Sequence, residues 1–573
     1  MPRLNLRPSG INPSLWRSRY VPYFSSFVSA GSAWAGLGGS AATGRLDSGA
    51  RGLVPGGVLG AGAAGSGTGE VRVGDCEQRR AAHCGGRRLC ERQGKSMSRV
   101  RNILASLTAV TVCGFSTLAL NPATASGQDD SPYYWEVPVP TQAQKDIIEQ
   151  AGIEMVPAGP GQVTIAADEA TAKALRERGL NPKKGAPVYK SLPQERKAPD
   201  PTYYGGYHTA ADLLKHASDV AAKYPGIAQV HDIGKSWKAE RGTGGHTMKV
   251  ICLTGIAKKA TDQEKATAKT TLAPNGCAMS PTASTKPRFL LTAQIHAREL
   301  ATGELAWKWI DYLANGYGTD STATSILDTT EIWVVPVTNP DGVDVTASGG
   351  NRPKMQRKNV NNTQTPASCS VVDGSGNGPG VDLNRNFTVR WGGASRNACS
   401  QTFQGPRAAS EPETQAVQRL YSSLFTNQRP AGSRDVPDTA KGIVIDLHAY
   451  GNYGIIPSAA TTKNAGQLRA LAKKIVPGFI VGTSEETVGY STTGTTDDQA
   501  HGALGLASLT IEIGPNNSSA CGGFMPRYSC VNDTFWPQIK RAFTTAAQSA
   551  GAPYKQTQPS PADNQTQQSP AGN

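Results

Sequence analysis

Residues 288–299 read Arg288-Phe-Leu-Leu-Thr-Ala-Gln-Ile-His-Ala-Arg-Glu299. The first six residues are mostly apolar, as in a strand that is buried on both faces, and residues 303–313 have the pattern of a helix. Strand and helix patterns continue to alternate through the rest of the chain. This alternation predicts an α/β fold, a three-layer α/β/α sandwich around a mixed, largely buried sheet.

Further elements are expected on both sides of this segment. Strands are predicted at 227–233, 248–253, 331–337, 442–446 and 507–513, and helices at 209–224, 411–424 and 465–474. We therefore assign residues 202–552 to one large domain. Residues 553–573 are rich in Gln, Ser, Pro and Asn, a composition that predicts a disordered tail.

A smaller unit precedes this domain, in residues 126–201. Residues 133–184 have the patterns of two strands and two helices, which predicts a small α+β prosegment. Residues 183–201 are dense in Lys, Arg and Pro, as expected of a protease-accessible linker. We expect activating cleavage near Arg196 or Lys197.

The formal charge of +14 is concentrated at the beginning of the chain. Residues 1–96 carry 13 Lys and Arg against five Asp and Glu, and Arg99 and Arg101 add two positive charges, so +4 remains from residue 126 onward. A basic stretch outside the predicted domains is weak support for a basic binding surface on them. We therefore expect no nucleic-acid partner.

Residues 97–125 have the three parts of a signal peptide. A short basic start at Met97 is followed by a largely apolar run at 103–120 and by an Ala-x-Ala cleavage pattern at 123–125. A membrane anchor is the alternative, but Ser and Thr interrupt the run and no second long apolar span follows. The pattern predicts a secreted, extracellular protein with no membrane partner after signal removal.

The 96 residues before this signal contradict its N-terminal role. They are rich in Gly, Ala, Arg and Ser and show little periodicity. We hypothesise that translation begins at Met97 and that residues 1–96 are a non-native extension, with a disordered native extension as the alternative. Mass spectrometry of the natural product distinguishes the two, because any peptide from residues 1–96 contradicts the hypothesis.

Six of the ten cysteines lie after residue 125. An even number of cysteines in an exported chain favours disulfides. Among the connectivities that six cysteines allow, proximity in sequence suggests Cys252 with Cys277, Cys369 with Cys399, and Cys521 with Cys530. None of these pairs has the Cys-x-x-Cys spacing of a metal-binding knuckle.

A histidine and a glutamate three residues apart follow the quoted strand. His296 and Glu299 can aim an imidazole and a carboxylate at one point, although this spacing alone usually marks a surface pair. His448 ends another apolar strand and is the candidate third ligand, because ligands collect at the carboxyl edge of an α/β sheet. Two histidines and one carboxylate leave a position on zinc open for water, as a catalytic site requires.

The other histidines after residue 125 have weaker patterns. They lie on predicted helix faces, in loops or at strand ends, where a surface or packing role is expected: His208, His216, His231, His246 and His501. The sequence contains no His-Glu-x-x-His motif, which excludes zinc binding by two histidines of one helix in the thermolysin manner.

From about residue 203 to residue 543 the chain resembles the zinc carboxypeptidases of peptidase family M14, the carboxypeptidase A and B group. Several separated motifs, in the order of the family, carry the resemblance. They are His296-Ala-Arg-Glu299, Asn339-Pro-Asp-Gly342, Gln356-Arg-Lys358, Val381-Asp-Leu-Asn-Arg-Asn386, Leu447-His-Ala-Tyr450, Tyr490 with Gly494 and Asp498, and Thr510-Ile-Glu512. The resemblance implies a secreted bacterial-type precursor of an enzyme that hydrolyses the C-terminal peptide bond with a zinc-activated water.

The resemblance also implies one zinc ion per catalytic domain, held by His296, Glu299 and His448. Glu512 would be the general base and then the proton donor to the leaving amine. A structural ion pair is the alternative for this residue, since a buried carboxylate needs a partner. Arg357 would polarise the scissile carbonyl and stabilise the oxyanion.

Substrate contacts are implied in the same way. Asn384 and Arg385 would clamp the terminal carboxylate of the substrate, the arginine through two parallel hydrogen bonds. Tyr490 would close over the bound terminus as a mobile cap, and Arg298 would contact the peptide further along. Asp382 would orient the first zinc-ligand histidine from behind.

Specificity depends on one acidic position. Asp497 aligns with the family position at the base of the side-chain pocket, where an acid favours Lys or Arg, so a basic or mixed preference is a hypothesis. The adjoining Asp498 is a common residue of the family, for which a structural role is the alternative, and a shift of one residue in the pocket would weaken the hypothesis. Lys354 stands where the family usually has a second arginine, which leaves its part in carboxylate binding open.

Two other functions are weighed against this one. Deacylases and cell-wall amidases share the metal triad, but their substrates often lack a free α-carboxylate, so Asn384 and Arg385 argue against them. A non-enzymatic binding relative would be expected to lose the base or a ligand, and both are present. We expect peptide or protein substrates with a free C-terminus and a monomeric enzyme.

Overall fold

The computed structural model describes residues 131–192, 202–255, 276–365, 369 and 378–555. Several of the sequence predictions lie outside these residues. They are the N-terminal extension at 1–96, the signal peptide at 97–125, the cleavage region around Arg196 and Lys197, and the tail beyond residue 555.

An eight-stranded mixed sheet forms the centre of the large domain. Its spatial order is β11-β10-β12-β9-β7-β8-β6-β5. The strands are β5 (Ala228–Lys235), β6 (Thr247–Leu253), β7 (Arg288–Ala293), β8 (Glu331–Val335), β9 (Ile443–Ala449), β10 (Tyr453–Ile455), β11 (Ile480–Gly482) and β12 (Ala507–Ile513). The four central strands run parallel. Strands β5, β6 and β8 pair antiparallel in sequence at one side, and at the other side β10 pairs antiparallel with β12 and parallel with β11, which confirms the predicted mixed sheet.

Helices cover both faces of this sheet. They are α3 (Ala210–Lys223), α4 (Trp237–Glu240), α5 (Leu300–Gly316), α6 (Ser321–Thr329), α7 (Pro340–Ala347), α8 (Pro412–Leu424), α9 (Thr462–Ile475), α10 (Ser484–Thr487), α11 (Thr496–Leu504), α12 (Tyr528–Cys530) and α13 (Trp536–Ser549). The described residues also form a short 3-10 turn at Leu383–Arg385 and a π turn at Val531–Phe535.

The apolar core lies in two layers, one on each side of the sheet. Alternate residues of the central strands point to opposite layers. On β7, Phe289 and Leu291 pack with α5 and α13 on one side, and Leu290 packs with α8 on the other. The predicted three-layer α/β/α sandwich is therefore confirmed.

The N-terminal unit, residues 131–192, has a sheet of its own in the order β2-β3-β1-β4. Its elements are β1 (Tyr133–Pro138), α1 (Gln142–Gln150), β2 (Val156–Gly159), β3 (Gln162–Ala167), α2 (Glu169–Glu177) and β4 (Lys183–Pro187). Trp135, Ile148 and Leu175 form its buried core. Thr141 and Asp168 cap the two helices through their side-chain oxygens, as N-cap residues do.

Strand β4 differs from the linker expected from residue 183 onward. Lys183 and Lys184 lie on an edge strand whose backbone pairs with β1, while their side chains stay exposed. The sequence gives no sign of this because the pairing uses backbone groups and needs no apolar alternation at an edge. Residues 183–187 therefore belong to the sheet of the N-terminal unit and not to the linker.

Within the described residues three disulfides are formed, and they are the three pairs suggested by sequence proximity. The Cα atoms of Cys252 and Cys277 are 5.5 Å apart, those of Cys369 and Cys399 are 5.3 Å apart, and those of Cys521 and Cys530 are 5.5 Å apart. Among the helices of the described residues, none has the length and apolar character needed to span a bilayer.

Candidate active site

The carboxyl ends of three parallel strands bring the candidate residues together. His296 follows β7, His448 lies near the end of β9, and Glu512 lies near the end of β12. His448 and Glu512 are paired in the register of β9 and β12, so their side chains leave the same face of the sheet. Glu299 sits at the N-cap position of α5, one turn after His296.

Three side-chain groups converge on one point. The Nδ1 atoms of His296 and His448 are 3.1 Å apart. The Glu299 carboxylate lies between them, with Oε1 at 2.6 Å from His296 Nδ1 and Oε2 at 3.2 Å from His448 Nδ1. All three residues are buried. The sequence prediction of a His/Glu/His group is thus matched by the positions of its atoms.

A carboxylate stands behind each of the two histidines. His296 Nε2 is 3.2 Å from Asp382 Oδ1, and His448 Nε2 is 2.8 Å from Asp446 Oδ2. If each Nε2 carries the hydrogen that it donates to its carboxylate, Nδ1 has a free lone pair directed at the shared point. Sequence analysis placed Asp382 here and missed Asp446, although its position two residues before His448 on one strand signals the same sheet face.

Charge interactions in this group oppose the effect of burial. Burial alone would raise the pKa of Glu299, but the adjacent His296 and His448 outweigh it and hold the pKa of that carboxyl below its usual range. Burial raises the pKa of Glu512, because the nearby His448 offsets only part of the desolvation. The two glutamates therefore differ in proton affinity, one an anionic ligand and the other a group able to hold a proton.

The donor set fits a zinc ion. Two nitrogen ligands on a tetrahedral zinc at bond lengths of about 2.0–2.1 Å lie roughly 3.3 Å from each other, close to the 3.1 Å between the two Nδ1 atoms. Two imidazoles and one carboxylate are also the ligand types that zinc takes in hydrolytic sites. Zinc-ligand histidines usually contact a carboxylate through the other ring nitrogen, and both histidines have such a contact here.

Arg357 lies beside this group and contacts two acids. Its Nε and Nη2 atoms are 3.1 and 3.0 Å from Asp382 Oδ2, and its Nη1 is 2.5 Å from Glu154 Oε1 and 3.2 Å from His296 Nδ1. The guanidinium is buried. It therefore borders the candidate metal position from the side of the N-terminal unit.

Glu154 comes from that N-terminal unit and was missed in the sequence. Its second oxygen pairs with Arg298, which also donates to Gln401 Oε1 at 2.8 Å and lies over the ring of Phe524 at 4.2 Å. Burial opposes ionisation of Glu154, but Arg357 and Arg298 hold its pKa below the usual range. Two residues predicted to contact substrate thus share one carboxylate of the N-terminal unit.

The remaining predicted substrate residues surround the group. The Asn384 side chain lies 3.3 Å from His448 Nε2 and accepts a hydrogen bond of 2.8 Å from the backbone N–H of Thr496. Arg385 is buried beside it and donates to the Asn384 carbonyl at 2.7 Å. Tyr490 packs against the apolar core of the N-terminal unit, and burial raises its pKa to about 12.

Asp497 and Asp498 begin helix α11 and have different surroundings. Asp498 pairs with Arg390 at 2.5 Å and accepts from the backbone N–H of Ala459 at 2.7 Å. Asp497 is buried, and burial together with the Asp498 charge raises its pKa. The ionised form of Asp497 is therefore disfavoured at this position.

The structure contains a second candidate metal group within the described ranges: His246, Asp341 and Asp344. His246 Nε2 is already 2.7 Å from Asp344 Oδ2. The Asp341 oxygens accept from Ser236 Oγ and from the backbone N–H of Lys238, both at 2.8 Å. An ion pair and a loop anchor account for these contacts.

The other histidines have local packing partners, as expected. The rings of His208 and His216 both stack on Trp307, with ring centroids 4.0 and 3.6 Å from it, and His231 contacts the carbonyl of Cys277 at 2.8 Å. His501 is buried against the Leu506 carbonyl and the Tyr554 hydroxyl.

The chain is similar to known zinc carboxypeptidases. The family profile described as zinc carboxypeptidase, peptidase M14, matches residues 213–541. Mouse (Mus musculus) carboxypeptidase A2 is 30% identical over 226 residues, which cover 39% of this chain and 43% of that protein. A zinc carboxypeptidase of Saccharothrix mutabilis subsp. capreolus is 25% identical over 431 residues, 72% of this chain and 87% of that protein.

Two solved structures share the fold. Carboxypeptidase A from Helicoverpa armigera matches with a TM-score of 0.56 at 18% identity, covering 74% of this chain and 98% of that one. Thrombin activatable fibrinolysis inhibitor matches with a TM-score of 0.53 at 19% identity, covering 73% and 99%. An α/β sandwich with a His/Glu/His group at its strand ends defines a metal-dependent hydrolase. The chain belongs to the zinc carboxypeptidase family and carries a metallocarboxypeptidase domain.

Proposed function

We propose that this chain is the precursor of a secreted zinc carboxypeptidase that removes single residues from the C-termini of peptides and proteins. The convergence of His296, Glu299 and His448 on one point is the observation that carries the proposal. Membership of the zinc carboxypeptidase family supports the reaction class. The three disulfides support an extracellular location, because such bonds persist in oxidising compartments.

His296, Glu299 and His448 would hold the zinc ion. When bound, zinc supplies Lewis-acid chemistry, acidifying water and polarising a carbonyl oxygen. Glu512 would accept the proton of the attacking water and then deliver it to the leaving amine. Its place on the same sheet face as His448 supports this role, and its partial exposure leaves it accessible to water.

The arginines would contact different parts of the substrate. Arg357 would stabilise negative charge on the scissile carbonyl oxygen, since its guanidinium borders the ligand group. Arg385 and Asn384 would bind the terminal carboxylate, which makes the reaction specific for chain ends. The 3.3 Å contact between Asn384 and His448 supports this arrangement, because it keeps the clamp adjacent to the reaction centre.

We propose further that the N-terminal unit is an inhibitory prosegment. Glu154 holds Arg357 and Arg298, and Tyr490 is packed against the prosegment core, so three groups proposed to bind substrate are engaged. Tyr490 would close over substrate only after this unit leaves. Cleavage in residues 193–201, near Arg196 or Lys197, would release it.

For the C-terminal side chain we propose a basic or mixed preference set by Asp497. The side chain of Asp498 already has Arg390 as its partner, whereas the buried charge of Asp497 would be offset by a Lys or Arg of the substrate. We expect Asp497→Ala to lower kcat/KM for C-terminal Arg peptides and leave that for C-terminal Phe peptides close to wild type. An unchanged ratio of the two would remove Asp497 from the pocket.

The central experiment uses residues 126–573 expressed in an oxidising host. The linker is cleaved, and release of C-terminal residues from a peptide panel is measured with and without a zinc chelator. Glu512→Gln should lower kcat about 10²- to 10⁴-fold while zinc stoichiometry stays at one. Chelator-insensitive cleavage, or full activity in Glu512→Gln, contradicts the proposed function. Gel filtration of the same sample tests the expected monomer.

A further inference from the structure

Asp446 is a buried acid inside strand β9 that the proposed reaction does not use. It lies in a row of strand partners, between Thr292 on β7 and Thr510 on β12. Its side chain shares a sheet face with His448, two residues later. An acid at this depth in a central strand needs hydrogen-bond partners for both oxygens.

The partners of Asp446 lie on three different elements. Oδ1 accepts from Thr292 Oγ1 at 2.6 Å. Oδ2 accepts from Thr496 Oγ1 at 2.7 Å and lies 2.8 Å from His448 Nε2. Thr496 in turn donates its backbone N–H to Asn384 Oδ1 at 2.8 Å. One carboxylate therefore connects the strand β7 residue, the ligand histidine and the first residue of α11.

We propose that Asp446 is a positioning residue that orients the metal ligand His448 and links it, through Thr496, to the Asn384 carboxylate clamp. The inference rests on the proposed zinc function and adds a residue to it. With the Nε2 hydrogen donated to Asp446, the Nδ1 lone pair faces His296 and Glu299. The two threonine hydroxyls keep the carboxylate from rotating, so the imidazole plane is fixed as well.

A purely structural role is the competing explanation. Two threonine hydroxyls alone satisfy a buried carboxylate, and in that case the His448 contact would be incidental. The two explanations differ in metal affinity, because only a positioning role couples Asp446 to the ligand. Asp446→Asn keeps the size of the side chain and removes its charge.

The test measures zinc affinity of the full-length precursor by competition with a chromogenic chelator. Asp446→Asn should bind zinc about 10- to 100-fold more weakly than wild type. Its cobalt(II)-loaded form should show a changed visible spectrum. Glu331→Gln is the matched control. Glu331 is a buried carboxylate at the start of β8, at the edge of the sheet opposite the candidate metal group, and it pairs with Arg288 at 2.7 Å. The substitution should lower thermal stability and leave zinc affinity within about twofold.

A second pair of variants keeps the test valid if Asp446→Asn does not fold. Thr496→Val removes one hydroxyl from Asp446 Oδ2, and we expect zinc affinity to fall about two- to tenfold. Thr496→Ser retains the hydroxyl and should restore it. Unchanged zinc affinity in Asp446→Asn, or in Thr496→Val if the former is unfolded, overturns the inference. Failure of the wild-type protein to bind zinc contradicts the proposed function itself.

Discussion

The contacts of Arg357 depend on the fixed planar geometry of its guanidinium group. Its guanidinium reaches Asp382 through Nε and Nη2 and leaves Nη1 directed at the space beside His296. The lysine ammonium is a single point charge and cannot bridge these positions. The orientation of Arg357 therefore depends on Asp382, the same acid that contacts His296.

We predict that Arg357→Lys lowers kcat/KM about 10²- to 10³-fold in the cleaved enzyme, because the donor to the developing oxyanion is lost. Zinc content should stay at wild-type level. Arg469→Lys is the matched control, since Arg469 pairs with exposed Glu486 at 2.8 Å in a surface contact of little energetic weight. Steady-state kinetics with metal analysis measures both, and equal losses in the two variants would contradict a role at the oxyanion.

Sequence reasoning at this scale succeeded where a residue follows a buried strand. His296, His448 and Glu512 could be placed together because parallel strands end at one edge. Asp446 was missed because an acid inside an apolar strand has no local motif. Glu154 could not be found, since its contact with Arg357 depends on how two separately folded segments pack.

The strands that carry the site are also those with the clearest sequence signal. Strands β7 and β12 have the predicted bounds, because Pro287 directly precedes the run of β7, and Gly505 and Gly514 lie on either side of the run of β12. Strands β10 and β11 were not predicted, since each has three residues and depends on a neighbouring strand for its hydrogen bonds. Helix α5 begins three residues before its predicted start, directly after the ligand Glu299.

The last turn of helix α11 contains a histidine that makes stability depend on pH. His501 is fully buried, and burial with the charge of Arg429 lowers its pKa to about 4. The unfolded chain takes up this proton near pH 6.5, before the folded chain does. Stability from this residue is therefore complete above about pH 6.5 and is lost as the pH falls toward 4.

We predict that the difference in unfolding free energy between wild type and His501→Gln changes by about 3 kcal/mol between pH 7 and pH 4. Denaturant unfolding at several pH values measures it. His246→Gln is a control of opposite sign, since its hydrogen bond to Asp344 raises the pKa of His246 and the associated stability is lost as the pH rises. If the unfolding free energies of wild type and His501→Gln change with pH in the same way, the prediction is contradicted.

On the scale of the whole molecule, the N-terminal unit contacts the large domain at several separate points. Gln401 donates its backbone N–H to the Gly152 carbonyl at 2.8 Å, and Asn516 donates to the Pro157 carbonyl at 2.6 Å. The Tyr134 hydroxyl accepts from the backbone N–H of Phe524 at 2.9 Å. Most of these contacts use backbone groups, whereas Glu154, which is itself partly exposed, forms ion pairs with two buried arginines.

We predict that Glu154→Gln raises the activity of the uncleaved precursor at least about 30-fold. Removing one partner of a buried charge pair typically costs 2–5 kcal/mol of association, which corresponds to about 30- to several-thousand-fold. Peptide hydrolysis by uncleaved protein, with its integrity checked by mass spectrometry, is the measurement. Glu149→Gln, an exposed acid on α1, should leave the precursor inactive. An uncleaved Glu154→Gln precursor without activity would contradict the prediction and show that steric blockage by the N-terminal unit is sufficient for inhibition.

If Glu154 inhibits by binding the two arginines, as proposed, the activity of the cleaved enzyme should depend on protein concentration. In the proposed precursor with an intact linker, the carboxylate would compete with substrate at the effective concentration of a tethered group, of the order of millimolar for a short flexible connection. A single cut removes that advantage without altering one contact. We therefore expect freshly nicked enzyme to be inhibited in concentrated stocks and to gain activity on dilution, with a lag set by the dissociation rate of the fragment.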